Sequence, residues 1–204
     1  MPRKSRNRNT PHERMKEYAG LADAIIYQSE WALDWIGSYV GYPEKSHIIL
    51  NGVDKDIFHP VDKVPLENFS YLVVQYNRDE NKRMPEAFDM FTEQHLKYPG
   101  VNLHIVGNFS RELVNANFDF FRGEPYKYHG VIEDPYKMAE IMQQCDILLY
   151  PSYSDACPNT VIEAKACGME VWHHGHAGIG EACSMEDSSL EFMGKQYLNI
   201  FNQI

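Results

Sequence analysis

YKYHGVIEDPYKMAEIMQQCDILLYPSYSDACPNTVIEAKACGMEVWHH, residues 126–174, is the stretch on which the fold turns. YKYHG (126–130), DILLYP (146–151) and EVWHH (170–174) have the length and apolar content of buried strands. Between them DPYKMAEIMQQC (134–145), with Pro135 at its first position, and the run from Pro158 to Cys167, closed by Gly168, read as helices. Apolar strands alternating with helices over short connections predict a parallel sheet covered on both faces.

Upstream the same rhythm continues. SYLVVQY (70–76) is a buried strand, 84–97 a helix with Phe88, Phe91 and Leu96 on one side, VNLHIVG (101–107) a strand ending in glycine, and 110–116 a helix. The fold class is therefore α/β, a single Rossmann-like doubly wound parallel sheet, with a short N-terminal strand-helix appendage. In that appendage HERMKEYAGLA has helical spacing of Met15, Tyr18 and Leu21, AIIYQ (24–28) is a strand, and Ser29 caps a helix through Tyr39 that Gly41 and Pro43 close. HIIL (47–50) is a second strand and runs into NGVDKDIFHP, after which 61–68 loses periodicity and reads as a boundary. The expected division is a basic arm over 1–20, the appendage over 21–60, the main domain over 61–185 and a C-terminal helix over 186–204.

The chain has 204 residues, 44 % hydrophobic and 13 % aromatic, which is enough apolar material for a core and excludes disorder or a coiled coil as a description of the whole. A formal net charge of −10 argues against a general nucleic-acid binder. Residues 1–16 run the other way, with Arg3, Lys4, Arg6, Arg8, Arg14 and Lys16 against Glu13 alone. The four cysteines, Cys145, Cys157, Cys167 and Cys183, form no C-x-x-C pair and read as free thiols in a reducing compartment. No apolar run reaches the ~18–20 residues of a bilayer span, and the basic start does not lead into an apolar signal segment, so a cytoplasmic location is expected.

In an open parallel sheet, ligands bind beyond the carboxyl ends of the strands. QYNRDENKR (75–83) places Arg78, Lys82 and Arg83 there, cations that suit a phosphate group but also suit a solvated loop. HIVGNFS (104–110) puts Gly107 and Asn108 at a strand end, where glycine serves a close ligand or a tight turn equally. The richest loop is PSYSDACPNTVIEAKACG (151–168). Its helix start at Cys157, Pro158, Asn159 and Thr160 is an anion site by geometry and dipole. Asp155 lies in the loop; Glu163 lies inside the helix amid Val161, Ile162, Ala164, Ala166 and Cys167, unusually apolar company for a carboxylate. HHGHAGIGE (173–181) holds three histidines, but His173 and His174 end a strand and point to opposite faces, so no metal is expected; its glycines suggest a backbone close to a ligand.

NGVDKDIF, the Arg/Lys loop, HIVG, YHGVIEDPYKMAEIMQQCDILLYPS, the D-x7-E spacing inside SDACPNTVIEAKACG, and GIGE stand in an order that resembles the C-terminal half of retaining GT-B glycosyltransferases of family 4, over roughly residues 22–181. The resemblance implies a nucleotide-sugar donor domain for a UDP- or GDP-linked sugar, with no separate cofactor and no metal. Arg78 and Lys82 would bind the diphosphate, with Arg83 a second candidate for the Lys82 role. The two acids of the family's E-x7-E motif map to Asp155, facing the sugar, and Glu163, on the ribose. Asp155 is one methylene shorter than the usual first acid. Base contacts would be mainly to backbone near Val131 and Ile132, and Gly107 and Asn108 would line the donor. By the same resemblance 21–60 is the end of the N-terminal GT-B domain plus hinge. Acceptor groups would then come from a separate chain, a second copy, or a small surface including the basic arm. The acceptor class stays open between glycan, lipid-linked sugar, protein and modified DNA. A non-catalytic nucleotide-sugar-binding subunit of a split enzyme is the alternative.

Overall fold

The computed structural model describes residues 10–62, 69–76, 80–121 and 126–204. Near the N-terminus, α1 (Pro11–Leu21) opens on a capping box in which the Thr10 side chain accepts from the Glu13 amide and Glu13 reaches back to Thr10. Then come β1 (Ile25–Tyr27), α2 (Glu30–Val40) behind its Ser29 cap, and β2 (Ser46–Ile48), which pairs in parallel with β1 as a separate two-stranded sheet.

The main sheet has five parallel strands: β3 (Ser70–Gln75), β4 (Asn102–Gly107), β5 (Tyr126–Gly130), β6 (Ile147–Leu149) and β7 (Glu170–Trp172). Their spatial order is β5-β4-β3-β6-β7. From β3 the chain winds outward to β4 and β5, then returns to the other side of β3 for β6 and β7. The reversal between β3 and β6 is the topological switch point, where such a sheet leaves a crevice beyond its strand ends. Period-two alternation along β3 sends Leu72 and Val74 to one face, Tyr71 and Val73 to the other.

One face is covered by α5 (Pro135–Gln143), α6 (Asn159–Ala166) and α7 (Ile179–Cys183), through buried Met138, Met142, Val161, Ile162 and Ile179. Val53 and Phe58 belong to the same core, so the segment after β2 packs as part of the main unit. The other face is covered by α3 (Met84–Lys97), whose Met84, Ala87, Phe88 and Phe91 are buried, with α4 (Arg111–Ala116) beside it. Truncating Phe88 or Phe91 to alanine there would cost about 3–5 kcal/mol. Leu96, expected on that apolar side, is 77 % exposed, because the stripe is set by residues 84, 87, 88 and 91 and position 96 falls outside it.

The C-terminal helix is α8 (Leu190–Phe201) behind a Ser189 cap. Just before it the chain forms a single parallel bridge to the N-terminal side, Val53 donating to the Ser188 carbonyl at 2.7 Å and accepting from the Leu190 amide at 3.0 Å. Helix α7 takes up only the end of the stretch that the glycine spacing presents as a ligand loop, from Ile179 onward, while 173–178 form the irregular connection before it. Among the described residues no helix is long and apolar enough to cross a membrane.

Candidate functional site at the switch point

The chain leaves β3 at Gln75 and β6 at Leu149, so the loops after them face one another across the crevice. There the Lys82 ammonium lies 2.5 Å from Asp155 Oδ2 and also donates to the Tyr150 hydroxyl. Tyr150, itself buried, donates to the same Asp155 oxygen at 2.7 Å. Two of the residues expected at the donor, Lys82 and Asp155, thus form one hydrogen-bonded group with Tyr150, which sequence reasoning missed. Its only signal was position, one residue past a buried strand at the switch point.

A cavity of about 240 Å³ opens at the start of α6, lined by Tyr76, Ile132, Asn159, Thr160 and Glu163, with Phe58 also in its wall. Burial holds the Glu163 carboxyl above the ordinary glutamate range. Tyr76, the first residue past β3, donates its hydroxyl to the Ile132 carbonyl at 2.8 Å, and burial raises its own pKa. Helix α6 starts at the cavity without a side-chain cap, Pro158 being the N-cap and Asn159 the first helical residue, one later than expected. A helix end left uncapped presents amide hydrogens and a partial positive charge to an incoming anion.

Asn51 braces this helix end. Its Nδ2 donates to the Cys157 carbonyl at 2.9 Å and to Asn159 Oδ1 at 2.8 Å, its amide lies 3.3 Å from Cys157 Sγ, and Gln28 Nε2 donates to its Oδ1 at 2.9 Å. Burial pushes the Cys157 thiol up, so it stays protonated and has a packing role.

Other expected residues lie apart from the cavity lining. Gly107 has φ 118°, and a Cβ there would sit 1.7 Å from the Gln75 carbonyl oxygen, so the glycine answers to the approach of two strand ends. Asn108 donates its amide to that same carbonyl at 3.0 Å. Val131 is half exposed. Arg78 lies outside the described residues. Arg83 is described: its Nε is 2.5 Å from Glu86 Oε2 and its guanidinium stacks 4.1 Å from the Tyr153 ring centroid. It is also in the left-handed region at φ 53°, which costs a residue with a Cβ roughly 1–2 kcal/mol.

HHGHAGIGE resolves into packing. His173 Nδ1 accepts from the Gly175 amide at 2.9 Å, while His174 Nε2 lies 2.6 Å from Glu86 Oε1. Among the described residues no group of three His, Cys, Asp or Glu side chains is placed to hold a metal ion. A Cβ at Gly178 would lie 1.6 Å from the Ala156 carbonyl oxygen, and the Gly178 amide donates to the Asp155 carbonyl at 2.9 Å. The close backbone partner is thus the Asp155 loop. Glu181 reaches back to α2, accepting from the amides of Glu30 at 2.8 Å and Trp31 at 3.2 Å. A carboxylate on a helix N-terminus satisfies orphan donors and the dipole together.

Among proteins of known structure, the chain is similar to Anabaena HepE crystallised with UDP and glucose, at TM-score 0.66 and 17 % identity over 84 % of this chain and 50 % of that one. It is also similar to a glycine-to-arginine mutant of Staphylococcus aureus TarM in complex with fondaparinux, α-GlcNAc-glycerol and UDP, at TM-score 0.71 and 15 % identity over 92 % of this chain and 45 % of that one. At these identities the likeness is one of fold, that of one GT-B half. A Campylobacter jejuni N,N'-diacetylbacillosaminyl-diphospho-undecaprenol α-1,3-N-acetylgalactosaminyltransferase is 34 % identical over 83 residues, 41 % of this chain and 21 % of its own length. The chain therefore spans half or less of each of these proteins. Residues 72–190 match the family described as Glycosyl transferases group 1, and with more than half of its length inside that match, the chain belongs to this family.

Proposed function

We propose that the chain is the donor-binding part of a retaining glycosyltransferase of family 4, moving a sugar from a UDP- or GDP-linked donor to an acceptor hydroxyl without a metal. The observation that carries this reading is the Glu163 cavity: a desolvated carboxylate beside the uncapped start of α6, with the Lys82 ammonium across the same crevice. Glu163 would accept hydrogen bonds from the ribose hydroxyls, and the backbone around Val131 and Ile132 would meet the base. The α6 N-terminus around Cys157–Thr160, Lys82 and Arg78 would hold the diphosphate, and Asp155 would face the sugar.

In the reaction the bond from the anomeric carbon to the phosphate oxygen breaks, and a bond to the acceptor oxygen forms on the same face. The acceptor's proton passes to the departing phosphate oxygen. Negative charge grows on the diphosphate as the bond breaks, where fixed cations and a helix N-terminus stabilise it most. These groups supply the positive charge that a metal would bring, which supports metal-independent transfer.

Acceptor groups would come from a separate chain, a second copy or another part of the protein. Among glycan, lipid-linked sugar, protein and modified DNA, the Campylobacter relative's name favours a lipid-linked sugar, and a cytoplasmic location goes with soluble nucleotide sugars. Calorimetry with UDP, GDP and a panel of their sugars, followed by hydrolysis and transfer assays with and without EDTA, tests the reading. Binding of a nucleotide sugar with turnover that survives EDTA is expected. Binding without turnover on any acceptor would point to a non-catalytic subunit, and no binding to any nucleotide would end the proposal.

A further inference from the structure

Four side chains beside the crevice close a ring. Arg83 Nε meets Glu86 Oε2 at 2.5 Å, and Glu86 Oε1 meets His174 Nε2 at 2.6 Å. His174 in turn stacks on Tyr153 at 5.1 Å between ring centroids, and Tyr153 lies 4.1 Å from the Arg83 guanidinium. The ring joins the start of α3 to the loops that follow β6 and β7.

As a stabilising device the ring is poor. The Arg83, His174 and Glu86 side chains are 41 %, 33 % and 26 % exposed, and the close approach of Arg83 leaves the buried Glu86 Oε2 without a hydrogen bond, so the ion pairs contribute little. Against that small gain stands the left-handed backbone of Arg83, which glycine would adopt freely. Strain of this kind persists where neighbouring contacts over-determine the conformation, and it gathers at ligand sites.

What the ring does is geometric. Lys82 directly precedes Arg83, and Asp155 follows Tyr153 by two residues. The same two loops are therefore joined twice, Lys82 to Asp155 and Arg83 to Tyr153. A diphosphate that engages the Lys82 ammonium draws it away from Asp155, and the Arg83 contact then holds the loops together. We propose that Arg83 is a positioning residue, held by Glu86 and His174 against Tyr153 so that Lys82 stays presented to the diphosphate of the donor. This rests on the donor-binding reading above, and it gives Arg83 a role different from direct diphosphate binding.

The test uses the full chain as wild type, Arg83→Gly, Lys82→Met and the double variant, with melting points and calorimetric affinities for UDP, GDP, uridine and guanosine. Arg83→Gly removes the ring and the backbone strain together. Its melting point is expected to equal or exceed that of wild type, while affinity for the preferred diphosphate falls roughly tenfold and affinity for its nucleoside is unchanged. In the Lys82→Met background the same change should cost nothing further. Full diphosphate affinity in Arg83→Gly overturns the proposal. So does an equal loss in both backgrounds, which would place Arg83 on the phosphate itself, or a melting point well below wild type, which would make it a structural residue. If wild type binds no nucleotide, the donor reading itself falls.

Discussion

The Lys82 ammonium and the Asp155 carboxylate, 2.5 Å apart and each about four-fifths buried, neutralise one another. A diphosphate therefore competes with Asp155 for the same cation. Lys82→Met should abolish most diphosphate affinity and cost about 1–3 kcal/mol of stability, since Asp155 is left with Tyr150 alone. Asp155→Asn should act in the opposite sense on UDP or GDP alone, tightening binding a few-fold, while erasing any preference for the sugar-bearing donor. Calorimetry with the free diphosphate and its sugar, side by side, reads both effects.

Glu163 is charged at a cost. Its folded pKa is raised by burial, so the stability it contributes is complete below the ordinary glutamate value of 4.5 and is lost as pH rises through the raised value. Glu163→Gln should consequently melt higher than wild type near neutral pH, with the gap closing toward pH 4. The same variant should lose the preference for ribo- over 2'-deoxyribonucleoside diphosphate. A variant that melts lower at neutral pH would refute the assignment of desolvation as the dominant effect.

Acid should weaken the sheet at one identifiable place. His104 Nδ1 and His129 Nε2 lie 3.2 Å apart across β4 and β5, and burial, then the neighbouring His129 and Lys127, lowers His104 from 6.5 to about 4. The His104 ring stays neutral in the fold while the unfolded chain takes up a proton, so its contribution to stability is full above pH 6.5 and falls toward pH 4, and burial lowers His129 in the same direction. The slope per group approaches about 1.4 kcal/mol per pH unit. His104→Gln should flatten the dependence of melting temperature on pH across that window.

Two glycines of the same segment should behave oppositely. Gly178→Ala drives a Cβ into the Ala156 carbonyl and to 2.8 Å from the buried Ser29 Oγ, and the main-chain clash cannot be relieved by a side-chain rotation, so it should lower stability by about 2 kcal/mol or more and displace Asp155. Gly180, with its nearest neighbour 3.9 Å from a built Cβ and a place inside α7, should accept alanine with unchanged or improved stability. Thermal melts of the two variants check this directly.

These contrasts show where the sequence is legible. The apolar runs SYLVVQY, HIVG and DILLYP name their strands because burial on both faces leaves no alternation to misread, and the order of strands and helices gives the doubly wound sheet. Glu163 stands out by its apolar sequence neighbours, although the apolar residues that share its cavity, Phe58, Tyr76, Ile132 and Met138, come from other parts of the chain. Tyr150, Tyr76 and Asn51 were missed as site residues because their importance comes from partners distant in sequence. The glycines of GHAGIGE suggest by type room for a ligand, but type cannot tell a ligand from another stretch of main chain. Glu181 is the sharpest instance, since its partners are amides of a helix near the opposite end of the chain.

That distance matters for how the molecule opens. The bridge between Val53 and Ser189 closes almost the whole described main sheet into one loop of chain, with the Asn51 brace on α6 just before its near end. Loss of the bridge would free Val53, next but one to Asn51, and so would loosen the helix start at which a donor would bind. Hydrogen exchange at α6 should thus track opening of the Val53–Ser189 bridge as one cooperative event, making a contact far from the crevice in sequence a determinant of how long the site stays intact.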